Sequence, residues 1–333
     1  MTAVLDETLH LVTGEYPPDQ GGVSGYTAEV ARGLAQDGAA VHVWCPGCEL
    51  AVLEHGVHVH RALGSLSAAD FRRADTELDA VAVPRRLIVQ WVPHAFGRRS
   101  MNVSFCRWVD ARSRVRGDTV ELMVHEPFLD FTLSPRRVVV ATVHRAMTRI
   151  LLRRASRVWV STPMWEERWR PYTRDSVAFG WVPIPATVPV DQTARLRGAE
   201  VRQALVQAGG CVIGSFSPAG PFVHASLAAS VVPVIVAHPE TALLLVGKGS
   251  ADAREALIAC DPGLAGRVHA TGSIEADDVS RHLGACDLAV QPCPDGVCTR
   301  HSSVATLLAH GVPVVTTDGR FTEALWRETH PIV

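Results

Sequence analysis

A series of short apolar runs, each followed by an amphipathic stretch, occurs twice in this 333-residue chain, and a proline-punctuated segment separates the two occurrences. In the first series, Leu9 to Thr13 reads as a buried strand. Val23 to Gln36 follows with Val23, Tyr26, Val30 and Leu34 on one helical face, and Gly38 stops it. Further strands are expected at Val41–Trp44, Arg86–Trp91, Thr119–Val124 and Arg157–Ser161, with helices at Met101–Ser113, Arg136–Arg153 and around Trp165. Pro183, Pro185 and Pro189 then suggest a stiff linker. The second series has strands at Cys211–Phe216, Ala242–Val246, Arg267–Ala270, Leu288–Gln291 and Val312–Thr316. Its helices are expected at Phe222–Val236 (interrupted by Pro233), Ala253–Ala259, Asp277–Gly284, Ser302–Ala309 and Phe321–Glu328. Strand–helix alternation of this kind builds a parallel sheet with helices on both faces. Two series predict two α/β, Rossmann-like, doubly wound domains, at 1–185 and 186–333, with a cleft between them. Ligands bind beyond the carboxyl ends of such strands, so a two-substrate site is natural.

Hydrophobic residues make up 47% of the chain and charged residues 20%, enough to bury two cores. Lys+Arg 32 against Asp+Glu 34 gives a net charge of −2, which implies no nucleic-acid partner. No apolar run is long enough to span a membrane. The opening Met1–His10 carries acids where a signal peptide needs positive charge, so the expected location is cytoplasmic. Eight cysteines then need no disulfides. Cys45-Pro-Gly-Cys48 has redox spacing but lacks the second pair that zinc would need, and ordinary loop residues are the simpler reading. No metal is expected.

The first strand leads into Gly14-Glu15-Tyr16-Pro17-Pro18-Asp19-Gln20-Gly21-Gly22-Val23-Ser24-Gly25-Tyr26, a proline-rich loop and a glycine pair opening a helix. Glycines there allow close backbone approach, and the helix N-terminus favours an anion such as phosphate. The whole string resembles the N-terminal signature of the GT-B glycosyltransferases, in particular the retaining family 4 enzymes (glycosyl transferases group 1). Gln90-Trp91-Val92-Pro93-His94-Ala95-Phe96-Gly97 and Leu122-Met123-Val124-His125-Glu126-Pro127 resemble later strand ends of those enzymes. Val246–Gly249, Ala285–Pro292 and Ala309–Thr317 resemble the segments around their donor pocket. The likeness runs from residue 9 to about 320.

The resemblance implies a sugar moved from a nucleotide donor, UDP-, GDP- or dTDP-linked, to a small-molecule or glycan acceptor with retention of configuration, and no other cofactor. It implies a donor in the C-terminal domain and an acceptor in the N-terminal one. Gly21 and Gly22 would lie against the diphosphate. His125, with Glu126 beside it, matches the family histidine that points at the transferred sugar. A neutral imidazole can donate to a sugar oxygen, and the backbone carbonyl can stabilise positive charge at the anomeric carbon.

Departures from the family are concentrated in the second half. The spaced glutamate pair of the donor domain is replaced: Thr306 stands at the second position and Cys298 at the first, with Asp295 the nearest acid. The segment after the 211–216 strand has no Arg or Lys, and Lys248 is the single lysine of the chain. Arg300, His301, Ser302 and Ser303 at a helix start are the substitute expected for the diphosphate, while Asp295, Thr306 and Lys248 are candidates for the sugar and nucleoside. An exposed arginine before a serine-capped helix is the plainer alternative. The chain also ends sooner after the 312–316 strand than family members do. Trp91 and His94 are acceptor candidates, and Phe96, Phe105, Trp108 and Phe128 could extend an apolar wall, although core packing is the commoner role for such residues. Arg98-Arg99 suits an anionic acceptor or an acidic membrane surface, or equally a solvated helix start. Two other readings stay open: a degenerate GT-B protein that binds or scaffolds without catalysis, and a GT-B enzyme of another chemistry such as an epimerase. Nothing in the sequence sets the oligomeric state.

Overall fold

The computed structural model describes residues 8–19, 21–97, 100–174, 176–190 and 193–328. Two compact units divide the chain, Met1–Pro183 and Ile184–Val333.

The first unit contains β1 (Thr8–Thr13), α1 (Gly22–Gln36), β2 (Ala40–Trp44), β3 (Val52–Glu54), β4 (Val57–His60), α2 (Ala68–Asp79) and β5 (Arg85–Trp91), continuing with α3 (Val103–Arg116), β6 (Thr119–Val124), α4 (Pro135–Leu152), β7 (Ala155–Val160), α5 (Pro163–Trp169) and β8 (Ala178–Trp181). Its sheet has the order β3-β4-β2-β1-β5-β6-β7-β8, parallel except where β3 pairs antiparallel with β4. The order reverses between β1 and β5, and their carboxyl ends are where a ligand crevice is expected. At that point Gly14 is required: a Cβ on it would stand 2.5 Å from the carbonyl oxygen of Ala95.

The second unit contains α6 (Ala194–Leu205), β9 (Cys211–Phe216), α7 (Pro221–Ser230), α8 (Val232–Ala237), β10 (Thr241–Val246), α9 (Ser250–Cys260) and β11 (Val268–Ala270), followed by α10 (Ala276–Leu283), β12 (Leu288–Gln291), α11 (Ser302–Ala309), β13 (Val314–Thr316) and α12 (Ala324–Glu328). Its parallel sheet runs β11-β10-β9-β12-β13, with the reversal between β9 and β12. Successive strand residues point to opposite faces, so Val212 and Leu244 join one core with Leu283 and Leu307, while Ile213 and Leu243 join the other with Leu227 and Leu257. Every residue of β10 is buried, as a strand covered on both faces must be.

The sequence reading lacks β3, β4, α2, β8 and α6; β4 and α2 do carry their element's period, Val57 and Val59 alternating inward and Phe71, Ala74 and Leu78 sharing a helical face, whereas α6 shows no such stripe. The α6 helix packs through small residues instead. A Cβ on Gly198 would meet the backbone of Gly284 at 2.5 Å, and one on Gly284 would meet the Ala194 carbonyl at 2.2 Å. The expected helix at 222–236 is two, α7 and α8, with Pro233 in the first turn of the second, where proline is tolerated. The proline-rich stretch is not a free spacer. Ile184 N–H donates to the Thr299 carbonyl at 2.8 Å and Thr187 N–H to Thr306 Oγ1 at 3.3 Å, so the strap lies on the second unit.

Candidate active site

In the first unit, His125 follows β6 directly and is buried. Its backbone N–H donates to the Trp91 carbonyl at 3.0 Å, which fixes it beside the end of β5. Its Nε2 lies 2.9 Å from Gln90 Oε1, and Tyr26 of α1 packs edge-on at a centroid distance of 4.8 Å. The His125 carbonyl accepts the Trp165 indole N–H at 2.8 Å and the Ser161 hydroxyl at 3.4 Å. Burial drives the imidazole's pKa down to about 3, so the ring is neutral at ordinary pH. With the amide oxygen of Gln90 as acceptor, Nε2 carries the proton, and Nδ1 is left as an acceptor. Gln90, Tyr26, Ser161 and Trp165 were not singled out by sequence reasoning. A glutamine inside the apolar run of β5 is the one signal that was there to find.

Glu126 and His94 come together: His94 Nδ1 stands 3.5 Å from Glu126 Oε2, and both side chains are exposed. Trp91 does not join them. It is completely buried, its indole N–H bonds the Pro127 carbonyl at 3.3 Å, and it stacks on Phe96. The expected acceptor role for Trp91 is therefore corrected to a core role. Phe96, Phe105 and Trp108 are likewise buried, leaving only half-buried Phe128 of the expected wall. The basic pair at 98–99 lies outside the described residues.

The N-terminus of α1 already holds an anion. Glu15 Oε1 accepts the N–H groups of Val23 at 3.1 Å and Ser24 at 3.0 Å. A Cβ on Gly21 would stand 2.3 Å from that same carboxylate oxygen, so a side chain there would displace the Glu15 carboxylate from the helix start. Gly22 has open space where its Cβ would be. The expectation of free N–H groups at this helix start is corrected: a side chain on the loop occupies them.

In the second unit, the β9 and β12 strands pair only as far as Ala289↔Gly214 and then part. Gln291 closes the gap, its Oε1 accepting Phe216 N–H at 3.0 Å and the Ser215 hydroxyl at 3.3 Å. Around this point the loops after β9, β10 and β12 gather. Gly249, at φ 81°, lets the β10 loop approach Ala219, where a Cβ would stand 3.1 Å from the Ala219 Cβ. Lys248 is exposed in that loop. The β12 loop is braced by the chain after β13: Thr317 Oγ1 donates to the Cys293 carbonyl at 2.5 Å, and Gly296, at φ 90°, sits against Gly319.

The loop ends in Arg300, half-buried in the turn before α11, and His301, the N-cap residue. His301 offers no side-chain cap to α11, because its Nδ1 accepts the Cys298 N–H at 3.0 Å instead. Burial and the Arg300 charge lower the His301 pKa to about 4. Ser302 and Ser303 form the first turn, half-buried. The start of α11 thus has no cap from its N-cap side chain and has a guanidinium beside it, the chemistry that suits a phosphate.

Two other candidates are committed elsewhere. Asp295 Oδ1 accepts Arg320 Nε at 2.9 Å. Thr306 is completely buried and its hydroxyl receives Thr187 N–H, so a ribose contact is ruled out and its role is corrected to holding the strap. Glu323 is the acid that sequence reasoning missed near this loop. Its carboxylate accepts the Thr299 N–H at 3.1 Å, the Thr299 hydroxyl at 2.7 Å and the Trp326 indole at 2.9 Å. Among the described residues no cluster of His, Cys, Asp and Glu is arranged to hold a metal. All eight cysteines are free thiols, and burial raises Cys45 to about 12, which fits a packing residue and not a redox motif.

Residues 211–330 match the family described as Glycosyl transferases group 1. Solved structures align with nearly the whole chain. Sucrose-phosphate synthase from Thermosynechococcus elongatus aligns with a TM-score of 0.66 at 16% identity, covering 94% of this chain and 82% of that one. The chain has the GT-B fold. Anabaena HepE, solved with UDP and glucose, shares this GT-B architecture at a TM-score of 0.62 and 17% identity, covering 94% of this chain and 81% of that one. The catalytic domain of starch synthase IV from Arabidopsis thaliana, bound to ADP and acarbose, gives 0.63 at 11% identity, with 94% and 83% covered. A search of curated protein sequences finds no match. Within this GT-B chain the family match lies in the second unit, whose loop 293–301 was the most divergent part of the sequence reading.

Proposed function

We propose that the protein is a glycosyltransferase that moves a sugar from a nucleoside diphosphate sugar to an acceptor with retention of configuration. The observation that carries this reading is the match of residues 211–330 to Glycosyl transferases group 1, on a chain of GT-B fold. The diphosphate is assigned to Arg300 and the start of α11, because the α1 start is filled by Glu15. Lys248 is assigned to the same donor as the other cation, and the exposed His94–Glu126 pair to the acceptor. His125 is neutral, and its Nδ1, left as an acceptor by the Nε2–Gln90 bond, can present electron density to a developing oxocarbenium ion, which suits a retaining mechanism. Titration calorimetry against UDP-, GDP- and dTDP-sugars, with NMR of the product's anomeric configuration, tests it. Binding of one donor with retention is expected; an inverted product removes the retaining assignment, and no donor binding by folded protein removes the whole reading.

A second reading, donor binding without turnover, is favoured by one observation. Thr306 is buried on the strap and Asp295 is paired with Arg320, so neither replaces the family's glutamates. Donor binding with no hydrolysis and no transfer to any acceptor would select it.

A further inference from the structure

Residues 129–139, just beyond His125 in the first unit, are exposed without interruption. Five of them are large and apolar: Leu129, Phe131, Leu133, Val138 and Val139, with Phe131 at 56% and Val139 at 58% exposure and Leu133 fully open. The first turns of α4 bury nothing, since its buried residues begin at Ala141. Phe131 is held in place by the Arg145 guanidinium, 4.0 Å over its ring. Single exposed apolar residues are ordinary, but a continuous run marks a contact surface.

Charge says what the run contacts. Between 129 and 154 the chain carries six arginines and one acid, Asp130, although its overall charge is −2. Asp130 is neutralised by Arg168. Arg136 and Arg137 are exposed at the helix start and pair with no acid among the described residues. A cavity of about 560 Å³ opens beside them, lined among the described residues by Met101, Arg136, Val139 and Val140. A protein partner would have to match this run with a shaped apolar face and complementary acids. An anionic bilayer supplies apolar depth and negative headgroups with no shape requirement.

We infer that residues 129–140 dock the protein onto an anionic lipid surface, apolar side chains entering the interface and Arg136 and Arg137 pairing with headgroup phosphates. No helix among the described residues is long and apolar enough to cross a membrane. The inference does not depend on the donor chemistry, and its failure would leave the transferase reading standing.

Co-sedimentation of the full chain with phosphatidylcholine vesicles, with and without phosphatidylglycerol, tests it. Binding to the anionic vesicles is expected to exceed binding to neutral ones roughly tenfold and to weaken as salt is raised. The Arg136→Glu/Arg137→Glu variant should lose that preference. Leu133→Ser/Val139→Ser should lose binding altogether, with thermal melting unchanged because both positions are exposed. Equal binding to both vesicle types, wild-type binding by either variant, or self-association that disappears in the serine variant (a second copy as the true occupant) would each overturn the inference.

Discussion

His125 is held by five neighbours, and each contact constrains what the residue can do. The Gln90 amide oxygen accepts its Nε2–H, the Trp91 carbonyl accepts its backbone N–H and Tyr26 packs on its ring, while Ser161 and Trp165 share its carbonyl. On the transferase reading, His125→Ala should lower kcat/KM by roughly 10²-fold or more. Gln90→Leu should give a smaller loss, seen mainly in kcat, because the ring then loses its fixed tautomer. Steady-state kinetics on folded variants check both, and an unchanged rate for His125→Ala would remove the residue from the mechanism. Glu15 and Gly21 form the second residue-scale unit. Removing the Glu15 carboxylate uncaps α1, so Glu15→Ala should cost about 1 kcal/mol. Gly21→Ala should cost a similar amount, by pushing that carboxylate away. The double variant should cost little more than either single one, since both changes destroy the same interaction. Urea unfolding measures all three, and simple additivity would show that the glycine has another purpose. Glu15, Gly21 and Gln90 were all visible in the sequence, but which of them meet was not. Eight residues separate Glu15 from Val23, and only the folded loop brings the carboxylate back to the helix start.

At the level of elements, the amino-terminal end of the first sheet, opposite the ligand crevice, is bound by charge. Asp118 accepts Arg85 Nε at 2.8 Å and Arg112 Nε at 2.7 Å, while Asp79 accepts Arg112 Nη1 at 2.7 Å. This ties α2, β5, α3 and β6 together at the amino ends of the strands, away from any ligand edge. Asp118→Asn keeps the volume but leaves two buried guanidinium groups undercompensated, so a loss of about 3–5 kcal/mol is expected by denaturant titration. The same sheet carries a histidine array on one face: His10, His42 and His58 are register partners across β1, β2 and β4, and His60 stacks on Trp44 at 4.0 Å. Burial lowers His10 to about 3 and His42 and His60 to about 4, with neighbouring histidines adding to the effect. The sign follows directly. Above the ordinary value of 6.5 neither state binds the proton; below it the unfolded chain does and the folded one does not. Stability should therefore hold above pH 6.5 and fall between pH 6.5 and about 4. Melting temperatures across that window check this, and a flat profile would contradict the array's assignment. The strands with long apolar runs were legible because burial on both faces leaves a continuous signal. The α6 helix was not, because Gly198 and Ala194 pack by having almost no side chain.

For the whole molecule, a ligand that binds only the folded form adds stability by mass action. A nucleoside diphosphate at a hundred times its Kd should add roughly 2.7 kcal/mol, seen as a raised melting temperature. Arg300→Ala should abolish that shift; a full shift in the variant would move the diphosphate elsewhere. The sequence by itself determined two α/β units and the order of their long apolar strands along the chain, because burial on both faces is written into those runs. It also carried the likeness to a glycosyltransferase family, since loop strings at strand ends are local. Only the tertiary structure decided which candidates are usable. Trp91 and Thr306 disappeared into packing, Asp295 was paired with Arg320, and Glu15 filled the helix start reserved for phosphate. Burial and pairing depend on what distant segments bring to a residue, and no local pattern encodes them.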